Sequence, residues 1–204
     1  MPSGLRSAPV YDPALRALHW SNALLVLALL ATGLVAQQLQ FGALASELRD
    51  WHGIVGNALI VGLLGRAVWG WIGPTHALWK SMWQPQAWID ALRKRRFFVA
   101  PRRFGHHPVA SLGYLAAYGL MAVLVASGLI LLAVKQGHGP LSPWLEWQLA
   151  WKHWTLLAHQ VAAYGLLAFV AAHLSALILH HRIHRLPVAQ SMISGIQTIP
   201  ETSA

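Results

Sequence analysis

The chain has 204 residues, of which 56% are apolar and 10% charged, with 11 tryptophans; soluble domains carry about 25% charged residues, so an ordinary soluble fold is excluded and an integral membrane protein is expected. The formal charge of +9 invites a nucleic-acid partner, but the basic residues gather in connections between apolar runs rather than on an aromatic-interleaved surface, so none is expected. There is no cysteine, which excludes disulfides, thiolate-held iron–sulfur clusters and the covalent attachment of a c-type haem, and leaves histidine or oxygen ligands for any cofactor.

Four apolar segments, roughly residues 17–38, 51–73, 108–134 and 153–180, are each long enough to cross a bilayer as a helix. They predict an all-α integral membrane protein, a four-transmembrane-helix bundle forming one domain over residues 1–196, with a short C-terminal tail at 197–204. The small residues of Ala43–Ser46 resemble a signal-peptide cleavage site, but the preceding apolar run is too long for a signal segment, so it is expected to remain as the first span. The connection between the second and third spans holds Lys80, Arg93, Lys94, Arg95, Arg96, Arg102 and Arg103, against Arg49 in the first loop and Lys135 and Lys152 in the third. The positive-inside rule therefore puts that loop and both termini in the cytoplasm. Tryptophans fall where interfacial belts belong, Trp69, Trp71, Trp79 and Trp83 toward one side and Trp144, Trp147, Trp151 and Trp154 toward the other. The third loop, PLSPWLEWQLAWKHW, is expected to lie on the outer surface as a short amphipathic helix and to offer a docking ledge.

Four of the 12 histidines fall inside spans: His19, His52, His159 and His173. His159 and His173 are fourteen residues apart, which at about 100° per residue puts both rings on nearly one helix face, roughly 21 Å apart along the axis. With alternating span directions, His19 and His173 share the cytoplasmic level, and His52 and His159 share the outer level. Axial ligation of a b-type haem needs one imidazole on each side of the iron, from helices that face each other. The level pairs supply this twice, whereas the crossed pairing of His19 with His159 is separated by about 20 Å of helix rise. Gly33, fourteen residues after His19, and Gly56, four after His52, leave bare the faces that a flat macrocycle would meet. Arg66, fourteen after His52, is a candidate partner for haem propionates, with snorkelling to the headgroups as the alternative. His106 and His107 in GHHP, and His180, His181 and His184 in HHRIHR, are expected as boundary residues rather than ligands. His76, His138 and His153 are expected in loops or at the interface.

Three stretches, VYDPALRALHWSNALLVLALLATGL, LRDWHGIVGNALIVGLLGRAVWGWIGPTHA and HWTLLAHQVAAYGLLAFVAAHLSALI, resemble the bacterial cytochrome b561 family, which includes the b-type cytochrome subunits of nickel–iron hydrogenases. The resemblance covers roughly residues 10–196. It implies four helices, two b haems on His19 with His173 and on His52 with His159, and electron transfer between a periplasmic partner and the quinone pool in a multi-pass protein of the bacterial inner membrane. GRAVWGWIGPTHA and the compact length are more similar to the branch paired with periplasmic c-type cytochromes than to the longer hydrogenase subunits.

The expected function is a di-haem electron conduit between a periplasmic c-type cytochrome or hydrogenase and membrane quinone, either an electron-transfer subunit or a quinone-linked oxidoreductase. Self-association into a homo-oligomer is left open. One alternative is a superoxide oxidase that passes electrons to ubiquinone, for which the outer loops show no strong positive funnel: Arg49, Lys135 and Lys152 stand against Glu47, Asp50 and Glu146. Another is a histidine-dependent proton or metal transporter, although all six acidic residues lie outside the predicted spans.

Overall fold

The computed structural model describes residues 4–95, 103–137, 139–145 and 149–201. Four helices are long and apolar enough to cross a membrane: α1 (Pro13–Leu39), α2 (Ala43–Ile72), α5 (Pro108–Gln136) and α6 (Leu149–His184). Between α2 and α5 lie the short α3 (Trp79–Met82) and α4 (Pro85–Arg93); after α6 comes α7 (Ser191–Ser194). The protein is thus an all-α, multi-pass membrane protein, with one addition that hydropathy does not report. Strands β1 (Leu5–Pro9) and β2 (Ile196–Pro200) pair antiparallel, Leu5 opposite Pro200 and Pro9 opposite Ile196, so the start of the expected C-terminal tail is a strand. A helix makes its backbone hydrogen bonds within its own segment, which is what a hydrocarbon environment demands. The large side chains of the long helices accordingly point outward, Val61 being 70% and Leu24 65% exposed.

Local chemistry sets the helix ends. Asp12 caps α1 through Oδ1, which accepts from the Leu15 amide at 3.0 Å, and Pro13 follows at the first helical position, where its missing N–H costs nothing. Pro187 stops α6 shortly beyond His184. The helices outrun the expected spans: α2 begins at Ala43 rather than near residue 51, so Ala43–Ser46 is helix, and α6 begins at Leu149 rather than at 153. The expected amphipathic helix of the third loop is not formed in its first part, where Pro140–Trp144 are turns, as the two prolines of PLSP favour. Residues from Leu149 onward belong to α6 instead, and residues 146–148, with Trp147, lie outside the described residues, as do Arg96, Arg102 and His138.

The chain divides into two compact units, each holding a stretch of all four long helices. The terminal unit comprises residues 1–20, 64–116 and 170–204, and the hairpin unit residues 21–63 and 117–169. In the terminal unit the ends of the chain are fastened together. The amides of Val10 and Tyr11 donate to the Gly195 carbonyl at 2.9 and 3.1 Å, Trp20 Nε1 donates to the Met192 carbonyl at 2.9 Å, and Arg16 donates to the Ile193 carbonyl. Gly195 has φ +83°, and a Cβ there would lie 2.6 Å from the Tyr11 carbonyl oxygen, so a side chain is excluded on both counts. The Gln197 amide bonds both backbone groups of Gly105, accepting at 2.7 Å and donating at 3.2 Å. This ties β2 to the segment that enters α5.

In the hairpin unit α1 joins α2, and α5 is followed by α6, as two antiparallel helical hairpins. Small residues let their helices approach. Asn22 Nδ2 donates to the Gly62 carbonyl at 3.3 Å, an interhelical bond of the kind common in membrane bundles. A Cβ on Gly165 would stand 3.2 Å from Leu120.

Candidate functional site

The hairpin unit brings His52 of α2 and His159 of α6 together, with ring centroids 6.1 Å apart and planes inclined at 68°. Each ring sits against a glycine of the neighbouring helix. A Cβ on Gly33 would lie 3.1 Å from His52 Cε1, and one on Gly128 3.5 Å from His159 Cε1. Each is also held by a hydroxyl one residue before that glycine: Thr32 Oγ1 lies 3.1 Å from His52 Nδ1, and Ser127 Oγ lies 2.9 Å from His159 Nδ1. With Nδ1 engaged, coordination of a metal falls to Nε2.

Around the two rings is a cavity of about 550 Å³, lined chiefly by leucines, valines and the glycines Gly33, Gly53, Gly56 and Gly128. Its volume and apolar lining suit a large planar cofactor. Its polar members are few: Gln37, Gln40, Arg49, Asn57, Gln160 and Tyr164 besides the histidines. Arg49 donates to the Gln40 carbonyl at 3.3 Å, and Tyr164 donates to Gln37 Oε1 at 3.3 Å. An iron bonded at about 2.0 Å to two opposed imidazole nitrogens would hold the ring centroids roughly 6 Å apart. The observed 6.1 Å and the bare glycine faces fit a bis-histidine haem.

The terminal unit holds His19 of α1 and His173 of α6, near enough to interact electrostatically. His19 meets Trp20 edge to face at 5.4 Å, and His173 meets Tyr114 at 5.9 Å. Arg66 is buried, only 4% exposed, and its guanidinium lies 4.5 Å from the centre of the Trp79 ring, a cation–π arrangement. Trp79 Nε1 in turn donates to the Ala67 carbonyl at 3.2 Å. This position differs from a side chain that snorkels to headgroups. Trp69 also turns inward, donating to Asp12 Oδ1 at 3.1 Å, so two of the four tryptophans expected in the inner belt pack against protein, whereas Trp71 and Trp83 are exposed.

His106 has closer neighbours than its place at the boundary alone implies. It stands two residues before α5, and its ring packs on protein, 5.9 Å from Tyr11 and 6.0 Å from Tyr114, with Ser81 Oγ 3.4 Å from Nδ1. Burial, then the charge of Arg66, then His76 push its pKa down to about 4. Burial, and secondarily Tyr114, raises the Tyr11 hydroxyl above its ordinary range. His107 is lowered by burial and then by His180, whose ring lies 6.5 Å away. His181 is exposed. Among the described residues no group of three or more histidines and acidic residues could hold a metal ion.

Two side chains that sequence reasoning missed, Thr32 and Ser127, were marked by a signal. Ala31–Leu34 reads Ala-Thr-Gly-Leu and Ala126–Leu129 reads Ala-Ser-Gly-Leu. Both lie inside apolar spans, where a single hydroxyl does not interrupt the hydropathy.

Comparison with known proteins places these geometries in context. Residues 10–195 match the family described as prokaryotic cytochrome b561. A protein of Bradyrhizobium diazoefficiens named as a probable Ni/Fe-hydrogenase B-type cytochrome subunit is 25% identical over 91% of this chain and 84% of its own length. One of the same name from Rhodobacter capsulatus is 26% identical over 96% and 83%. The Escherichia coli protein named as the cytochrome YdhU is 28% identical over 81% of this chain and 66% of its own. No solved structure matches.

Proposed function

The chain belongs to the prokaryotic cytochrome b561 family, and from that premise we propose that this b-type cytochrome of the bacterial inner membrane is a di-haem electron conduit. Its four-helix domain, residues 1–196, holds one haem b between His52 and His159 and a second between His19 and His173, with both termini cytoplasmic. The single observation that carries the reading is the pair of imidazoles opposed at 6.1 Å across a glycine-floored apolar cavity. Each bound haem supplies a one-electron ferric–ferrous couple; the protein contributes ligands, burial and charge.

Within the terminal unit Arg66, held in place by Trp79, would take a propionate by a charge-assisted bond. The haem held in the hairpin unit would exchange electrons with a periplasmic redox partner, and that held in the terminal unit with quinone. Of the two partners expected, the hydrogenase gains support from the names of the relatives, while the c-type cytochrome rests on the sequence resemblance alone.

The test is a dithionite-reduced minus oxidised spectrum, with haem quantified per chain, on native protein, His52→Ala and His173→Ala. Two low-spin b haems in native protein and one in each variant are expected. One haem in native protein would remove the His19–His173 site, and none would end the conduit reading.

A further inference from the structure

Ala-Thr-Gly-Leu in α1 and Ala-Ser-Gly-Leu in α5 meet different histidines in the same way. In each, the hydroxyl already has an acceptor one turn back along its own helix: Thr32 Oγ1 donates to the Ala28 carbonyl at 2.8 Å, and Ser127 Oγ donates to the Val123 carbonyl at 2.6 Å. A hydroxyl has one proton. With that proton directed at the helix, the oxygen accepts at its contact with the imidazole, and His52 also has the Leu29 carbonyl as an acceptor. The proton at His52 Nδ1 and at His159 Nδ1 therefore belongs to the histidine, and each ring is fixed as the tautomer whose Nε2 carries a lone pair.

We propose that the two segments are matched half-sites of the hairpin-unit cavity: the glycine admits the facing ring, and the hydroxyl locks that ring's tautomer and sets the potential of the iron it ligates. The inference rests on the di-haem reading above. Thr32 and Ser127 act as positioning residues, since neither touches the iron. Their effect has a definite sign. A hydrogen bond accepted from Nδ1–H makes the imidazole a stronger donor at Nε2, which favours ferric over ferrous iron. A neutral hydroxyl that is itself donating to a carbonyl does this more weakly than a carboxylate would.

Spectroscopic redox titration and electron paramagnetic resonance of the ferric state, on native protein, Thr32→Val, Ser127→Ala, Thr32→Ser and Ser127→Thr, test the proposal. In Thr32→Val and Ser127→Ala the ferrous-to-ferric ratio of one haem rises by up to about tenfold at fixed potential, equivalent to ~59 mV for a one-electron couple. Its ferric g-values move as the ring loosens, while the other haem keeps its potential and serves as the control for folding. Thr32→Ser and Ser127→Thr restore native values. Loss of one haem in Thr32→Val together with its retention in Thr32→Ser would also support the hydroxyl.

Both haems present with unmoved potentials and g-values in Thr32→Val and Ser127→Ala would overturn the proposal, as would hydroxyl-restoring variants that behave like the hydroxyl-free ones. Fewer than two haems in the native protein is a separate result, visible before any variant is made, and it defeats the di-haem reading itself.

Discussion

The two units use the same four helices and the same residue type to different ends. In the hairpin unit the histidine pair is set in a near-symmetric frame: a hydroxyl and a glycine face each ring, and leucine and valine fill most of the remaining wall. In the terminal unit the histidines keep company with Trp20 and Tyr114, and the same unit buries a guanidinium on Trp79 and a histidine between two tyrosines. One frame fixes ring geometry in an apolar setting; the other supplies charge and titratable groups. On the di-haem reading proposed above, two haems with identical ligands would differ in potential, because burial and nearby charge are the levers that the protein retains once ligand identity is fixed.

The largest expected effect tests the apolar frame. Gly33→Leu puts a branched side chain where even a Cβ would be 3.1 Å from His52 and fills the cavity with atoms that cannot retreat. Half of the bound haem should be lost while the other half keeps its native spectrum. Retention of both haems with unchanged spectra would show that the cavity is not the cofactor's seat. Next in size is the charge of the terminal unit. A buried cation favours the reduced state of a nearby haem, so Arg66→Ala should lower the potential of one haem, shifting its ferrous-to-ferric ratio by up to about tenfold, ~59 mV. The haem whose spectrum His52→Ala removes should not move. Equal shifts in both haems, or none, would erase the distinction between the units.

Much of this arrangement was legible in the sequence, because membrane helices obey two strong constraints: length against bilayer thickness, and the cost of intramembrane polar groups. Those constraints singled out His19, His52, His159, His173 and Arg66 among a great many apolar residues. Thr32 and Ser127 were not found by them, since a hydroxyl that bonds its own helix carbonyl is cheap in a span and attracts no notice. The pairing of β1 with β2 was missed for a different reason. It joins residues nearly two hundred positions apart, and neither strand alternates hydrophobic and polar residues in a way that announces it. Trp69 and Trp79 were read as belt residues because a tryptophan near a helix end satisfies that rule whether its indole faces lipid or, as here, a carboxylate or a guanidinium.

The smallest effect is a pH dependence that belongs to the terminal unit. His106 is packed by Tyr11 and Tyr114, touches Ser81, and feels Arg66 and His76. Its native pKa of about 4 lies below the roughly 6.5 of an unfolded histidine. Above pH 6.5 both states are neutral and His106 contributes nothing to the pH dependence. Between about 6.5 and 4 the unfolded chain holds a proton that the native protein refuses, so stability falls as the pH falls, by at most about 3 kcal/mol at the lower limit. His107, lowered by burial and then by His180, acts in the same direction. Thermal unfolding in detergent, followed by tryptophan fluorescence at pH 8, 6.5 and 5, should show native protein losing stability only over the last interval. His106→Gln, which keeps a polar side chain of similar reach and removes the titration, should lose less over that interval. Superimposable pH profiles for the two proteins would mean that His106 gains its proton in the folded state as readily as outside it, and that the charge-bearing character of the terminal unit does not extend to its tyrosine-packed histidine.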